Sequence, residues 1–267
     1  MPPDPAAPAE TATVGIDLAS RPQSTALCVV TWGPGQARVG ALVTDVDDDL
    51  LVAAVEGHAA GGPRPSKVAV DAPLGWPVDF VRGVADPAAW PVAIGGDRRR
   101  LERRATDHWV HEREKKQPLS VTTDRIGYAA MRAAGLLAHL AAGGEAVDRS
   151  GASGRVCETY PDPALRRLGL WPEDAGPRAS YKHGAGAPLR GQVVERLQRL
   201  APWLELRPEH AQACVASDDC LDALVCALVA RAAERGLTDR PPQLLEAEAR
   251  AEGWIHLPQA GALDRLA

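Results

Sequence analysis

The chain has 267 residues, a net charge of −5 at neutral pH, and 45% apolar but only 4% aromatic residues. That length suits one large α/β domain with a core built from Ala, Val and Leu. The acidic balance argues against a protein that coats nucleic acid non-specifically, while leaving room for a local basic groove. Five cysteines without a CxxC pair argue against zinc ribbons and disulfide scaffolds, and no apolar run approaches the ~18 residues of a membrane span.

Met1–Ala12 is rich in Pro and Ala and lacks the basic-then-apolar pattern of a signal peptide. It reads as a disordered tail on a cytoplasmic protein. In Thr13–Ala19, Val14, Ile16 and Leu18 alternate with Gly15, Asp17 and Ala19, the pattern of a central strand packed on both faces. Thr25–Trp32 and Ala37–Val46 read as two further strands, so the first three form an antiparallel meander. Asp47–Asp49 cap a helix over Leu50–Ala60 that Gly61-Gly62 stops, and Lys67–Ala72 is the fourth strand.

Residues 78–153 read as a mostly helical insertion covering one end of the sheet, including a helix capped by Thr123 or Asp124 and running to Ala142. Arg155–Tyr160 is the fifth strand, followed by a short helix at Ala164–Leu168. Gly176–Pro188 is a loop of the kind that lies over a site, and a helix follows at Leu189–Leu200. Ser217 caps a strong helix over Asp218–Arg235, and the segment around Trp254 is a last packing element. The expectation is a single α/β domain over residues 13–267 with a mixed five-stranded sheet flanked by helices.

Acids recur where this scheme puts strand ends: Asp17, Asp71 and Glu158. A further group, Asp218, Asp219 and Asp222, opens the late helix. Asp218 and Asp219 suit a first turn, where carboxylates complement the helix dipole. Asp222 does not, because its neighbours on the same face are Val225, Cys226 and Val229, and an unpaired carboxylate there is costly. Asp219 and Asp222, at i and i+3, share a face. If the first and fourth strands are parallel neighbours, Asp17 and Asp71 emerge at one edge. Two carboxylates about 4 Å apart repel by roughly 4 kcal/mol at an effective dielectric of 20. A gathering of such groups calls for a compensating cation, and Mg²⁺ or Mn²⁺ suits oxygen ligands. Glu158 reads either as a member of that group or as a strand-end acid paired with an arginine.

Taken together, GIDLA (Gly15–Ala19), VDAPLG (Val70–Gly75), RRATD (Arg103–Asp107), ETYP (Glu158–Pro161), Tyr181-Lys182, DDCLDALVCAL (Asp218–Leu228) and EGWI (Glu252–Ile255) resemble domain-of-unknown-function family 429. The resemblance runs in order over about residues 13–260. It implies an RNase H-like fold and a nuclease related in outline to RuvC-type resolvases. It also implies Asp17, Asp71, Asp219 and Asp222 as metal ligands and catalytic residues, with Glu158 as a further catalytic candidate.

Arg103, Arg104 and Asp107 belong to the RRATD motif and stand as candidate substrate-binding residues, as does Lys182, which can neutralise a phosphate or orient Glu158. The basic run Arg98–Arg104 reads equally as a solvated helix face. Trp109, beside that motif, reads as packing or as a platform for a base. The expected function is a metal-dependent phosphodiester hydrolase acting on DNA or RNA. The alternatives are an actin-like nucleotide-binding ATPase, which needs Gly-rich phosphate loops that Ala19-Ser20-Arg21 does not supply, and a non-catalytic module binding nucleic acid or protein.

Overall fold

Val14, Ile16 and Leu18 are buried on one side of the first strand, while Thr13, Gly15 and Asp17 point to the other, and the two sides meet different helices. The computed structural model describes residues 10–58, 63–176 and 179–267. Its strands are β1 (Thr11–Asp17), β2 (Ala26–Gly33), β3 (Gln36–Val43), β4 (Lys67–Val70), β5 (Val156–Thr159), β6 (Leu204–Glu205) and β7 (Ile255–His256). They form one sheet in the order β6-β3-β2-β1-β4-β5-β7. The β1–β2 and β2–β3 pairings are antiparallel, and the other four are parallel.

The helices are α1 (Asp48–Glu56), α2 (Val78–Ala85), α3 (Arg99–Glu102), α4 (Ala105–Glu114) and α5 (Ile126–Ala142), then α6 (Pro161–Arg167), α7 (Ala187–Leu200), α8 (Pro208–Ala216), α9 (Asp218–Glu234) and α10 (Glu246–Glu252). On the Val14 side, Leu51 and Val55 of α1 and Ala129, Ala133 and Leu136 of α5 close one core layer. The opposite face receives α9, which is apolar nearly all round because it lies between the sheet and the outer helices α6, α7 and α8. Leu165, Val193, Leu197 and Cys214 from those outer helices pack with Leu221, Leu224 and Leu228.

Gly15 lets α9 approach β1 at backbone distance. A Cβ there would lie 2.1 Å from both the Ala223 carbonyl oxygen and the Ala227 nitrogen. These are backbone atoms of a packed helix and cannot step aside singly. The contact continues at Thr13, whose hydroxyl donates to the Ala227 carbonyl at 3.0 Å and accepts from the Trp32 indole at 2.9 Å. Gly15→Ala is therefore expected to cost stability at the upper end of the roughly 1–3 kcal/mol overpacking range. Urea unfolding measures it, and a midpoint equal to wild type would contradict this packing.

The expected meander and the parallel β1–β4 neighbours are present, but the sheet has seven strands and not five. The two additional strands, β6 and β7, are two residues long and extend the sheet at its edges. Thr11 and Ala12, expected in the tail, begin β1, whereas residues 1–9 lie outside the described residues. Helix α1 ends at Glu56, where Gly57 takes the left-handed conformation (φ 87°), short of the expected stop at Gly61-Gly62, which lies outside the described residues. Within residues 78–153, α5 is a core helix on the sheet. All five cysteines are free and buried. Among the described residues no helix is long and apolar enough to cross a membrane.

Candidate acidic active site

Three chain segments meet where β1 and β4 end. Because the strands are parallel and Ile16 is level with Val70, the next residues, Asp17 and Asp71, leave the sheet side by side. The Asp71 N–H still donates to the Ile16 carbonyl at 2.8 Å, which fixes the turn. The close approach at Gly15 brings the start of α9 over the same point and delivers Asp222. One carboxylate oxygen from each of Asp17, Asp71 and Asp222 lies within 4.8 Å of the other two.

Asp222 is fully buried, yet both of its oxygens have partners. The Tyr181 hydroxyl donates to Oδ1 at 2.7 Å, and the Lys182 ammonium forms a short ion pair with Oδ2. Asp219 is half-buried, one turn nearer the start of α9, and its charge adds to those that raise the Asp17 carboxyl. Asp218 anchors the loop that carries Lys182, since its Oδ1 accepts the His183 N–H at 3.1 Å.

That loop is held under strain. His183 has φ 59° and ψ −175°, a region that side chains other than glycine rarely adopt. Arg190, only 1% exposed, imposes the conformation: one guanidinium nitrogen donates to the Tyr181 and His183 carbonyls at 2.5 and 2.7 Å. Its other nitrogens donate to Val215 and Ala216 at the end of α8. A Cβ on Gly186 would meet the Tyr181 carbonyl at 2.2 Å, so the loop folds back on itself only with glycine there. His183→Gly is expected to raise stability by about 1 kcal/mol, relief of roughly 1–3 kcal/mol of strain less roughly 0.5–1 for added chain freedom. Thermal unfolding reads the change, and a destabilised variant would show that the His183 side chain holds the loop.

The electrostatics follow from this crowding. Burial raises the Asp17 carboxyl well above its ordinary range, and Asp222 and Asp71 push it further. Burial and the Asp222 charge lift Asp71 to about 8. Burial also raises Asp222, against the pull of Lys182 and the Tyr181 hydrogen bond. Burial disfavours the Lys182 ammonium, but Asp222, Asp17 and Asp71 outweigh it and hold that charge firmly in place. Three acids thus face one lysine.

Glu158, Arg104 and Asp107 sit apart from the three aspartates in a second buried network. Arg104 is 1% exposed and grips Glu158 through two 2.7 Å hydrogen bonds. It also donates to Asp107 at 2.8 and 3.2 Å and to the Glu252 carbonyl at 3.2 Å. Glu158 further accepts the Leu74 N–H at 3.1 Å, tying down the turn after Asp71. Arg104 and Asp107, expected to touch substrate, are fully engaged here, and Glu158 takes the arginine-paired arrangement. Arg103 donates to the Pro118 carbonyl. Trp109 is 7% exposed and packs on Trp254 with ring centroids 5.0 Å apart, so it serves the core and presents no free face to a base.

Of the residues expected at the site, the fold joins Asp17, Asp71, Asp222 and Lys182, with Asp219 beside them. Tyr181, Asp218 and Arg190 complete it without having been singled out for those tasks. Only the adjacency of Tyr181 to Lys182 hinted at the first, and nothing in the spacing marked Arg190.

No curated protein and no solved structure matches the sequence in comparisons with known proteins. Residues 15–247 match the family described as "Protein of unknown function (DUF429)". That span includes the end of β1, all of β4 and α9 and every side chain of the acidic site, and covers well over half of the sequence. The chain therefore belongs to that family.

Proposed function

We propose that the protein is a divalent-metal-dependent phosphodiester hydrolase acting on nucleic acid, built on an RNase H-like core. The observation that carries the reading is the convergence of Asp17, Asp71 and Asp222, from three separate segments, to within 4.8 Å of one another with a single lysine among them. The order β3-β2-β1-β4-β5, an antiparallel meander continued by parallel strands, supports the architecture, with β6 and β7 as additions at its edges.

The donor set fits a hard divalent cation: all three groups are carboxylates, ionised together they would exceed what Lys182 neutralises, and burial makes that state costly without a further cation. Asp17, Asp71 and Asp222 would hold Mg²⁺ or Mn²⁺, with Asp219 beside Asp17. Such an ion supplies charge neutralisation to a phosphoryl group under attack. Tyr181 fixes the Asp222 carboxylate by its hydrogen bond to Oδ1. Lys182, with 37% of its side chain exposed, stands between the acids and solvent, where its ammonium can pair with a phosphate oxygen. The strained His183 loop holds that ammonium in register with α9.

The test is incubation of the purified protein with end-labelled single-stranded and duplex DNA and RNA, with Mn²⁺ or Mg²⁺ and separately with EDTA. Strand cleavage that needs the metal is the expected result. Binding without cleavage, and indifferent to the metal, would favour the non-catalytic reading in which Lys182 is the permanent counter-charge.

A further inference from the structure

Next to the acidic site, a cleft of about 270 Å³ opens between the ends of β4 and β5 and the segment leading into α5. Asp71 and Lys182 line both the cleft and the acid cluster, so the two form one continuous space. Beyond them the walls are Pro118, Leu119, Ile126 and Tyr160. Leu119 is 58% exposed at the rim, a large apolar side chain left facing solvent beside a charged site. The floor is closed by Arg104 and Glu158, whose polar atoms are engaged with each other and with Asp107 and Leu74.

We infer that this cleft is a subsite for one unstacked nucleobase, belonging to the nucleotide whose phosphate lies at Asp71 and Lys182. The inference rests on the phosphodiesterase reading and narrows its substrate. The volume is just below the roughly 300–1,000 Å³ of ordinary small-molecule pockets. It admits one base with its sugar and is far too small for a stacked duplex. An aromatic ring and branched aliphatic side chains suit the flat apolar face that every base carries. Arg104 and Glu158 on the floor are engaged elsewhere and do not read a particular base edge, which leaves the Tyr160 hydroxyl as the polar group on the wall and makes shape the main criterion for entry. A base can enter only after leaving its stack, which selects single-stranded or unpaired nucleotides over continuous duplex.

The experiment is calorimetric titration of the intact protein with a nucleoside 5′-monophosphate, ribose 5-phosphate and inorganic phosphate, each with and without Mn²⁺. Wild type is expected to bind the nucleotide about tenfold or more tighter than ribose 5-phosphate, the scale of one base stacked on an apolar surface. Leu119→Trp, which fills the mouth from an exposed position, is expected to erase that preference, and Leu119→Ala to weaken it. Equal affinity for nucleotide and ribose phosphate, no binding of either, or a preference untouched by Leu119→Trp would overturn the subsite. Thermal shift with Mn²⁺ on the same samples separates the two readings. A missing shift removes the metal, whereas the loss of base preference removes the pocket whatever the metal does.

Discussion

Asp71→Asn is expected to abolish metal-dependent strand cleavage, by about 10³-fold or more, while making the metal-free protein more stable at pH 7.5. The first effect follows from loss of a carboxylate to the ion, whose charge neutralisation is worth several kcal/mol of barrier at about 1.4 kcal/mol per tenfold. The second follows from linkage. The Asp71 carboxyl is raised from 3.8 to about 8, chiefly by burial and then by the Asp222 charge. Between about pH 4 and pH 8 the folded state therefore keeps a proton that the unfolded chain has released, and stability falls as pH rises through that window. Asparagine has no proton to lose there. The variant should gain on the order of a few kcal/mol at the alkaline end and show a shallower dependence on pH. Urea unfolding in EDTA at several pH values checks this, and a variant less stable than wild type at pH 7.5 would mean that Asp71 is held ionised by partners other than those described.

Arg104→Met is expected to destabilise the fold by about 3–5 kcal/mol, the usual consequence of removing one member of a buried ion-pair network. Methionine roughly fills the volume but leaves Glu158 and Asp107 buried without their counter-charge. The effect extends to the site, because Glu158 also holds the Leu74 N–H in the turn after Asp71. A loss below 1 kcal/mol in urea unfolding would show that water reaches these carboxylates. The size of the effect also separates Arg104 from Arg99, whose exposed pairing with Asp97 contributes little.

That contrast shows what the sequence could and could not disclose. Arg99 and Arg104 sit in one basic run, and the RRATD motif that sets Arg104 apart does not say that it is buried and paired. What makes Arg104 different is Glu158, 54 residues later, and the Glu252 carbonyl, 148 residues later. Asp17 and Asp71 were legible because each ends an alternating strand, where a carboxylate stands out against Val and Ile. Asp222 was legible because it interrupts an apolar helix face. Asp219 lies one turn nearer the helix start, about 4.5 Å along the axis, outside the three oxygens that lie within 4.8 Å of one another. Strands β6 and β7 are two residues each, too short to display alternation, and exist because neighbouring strands offer open edges. Helix α1 stops at Gly57, which takes the left-handed conformation packed against Arg64, a stop signal that in sequence is one small residue in a run without proline.

The central claim is that Asp17, Asp71 and Asp222 form a site for a divalent cation. Thermal unfolding with rising Mn²⁺ tests it most directly, because a ligand that binds only the folded state must raise the transition temperature. Wild type should rise with metal and rise more at pH 8 than at pH 6, since protons compete for the same oxygens. Asp17→Asn and Asp222→Asn, if folded, should lose that rise. A wild-type transition indifferent to Mn²⁺ and Mg²⁺ at both pH values, or a rise of equal size in those variants, would contradict it.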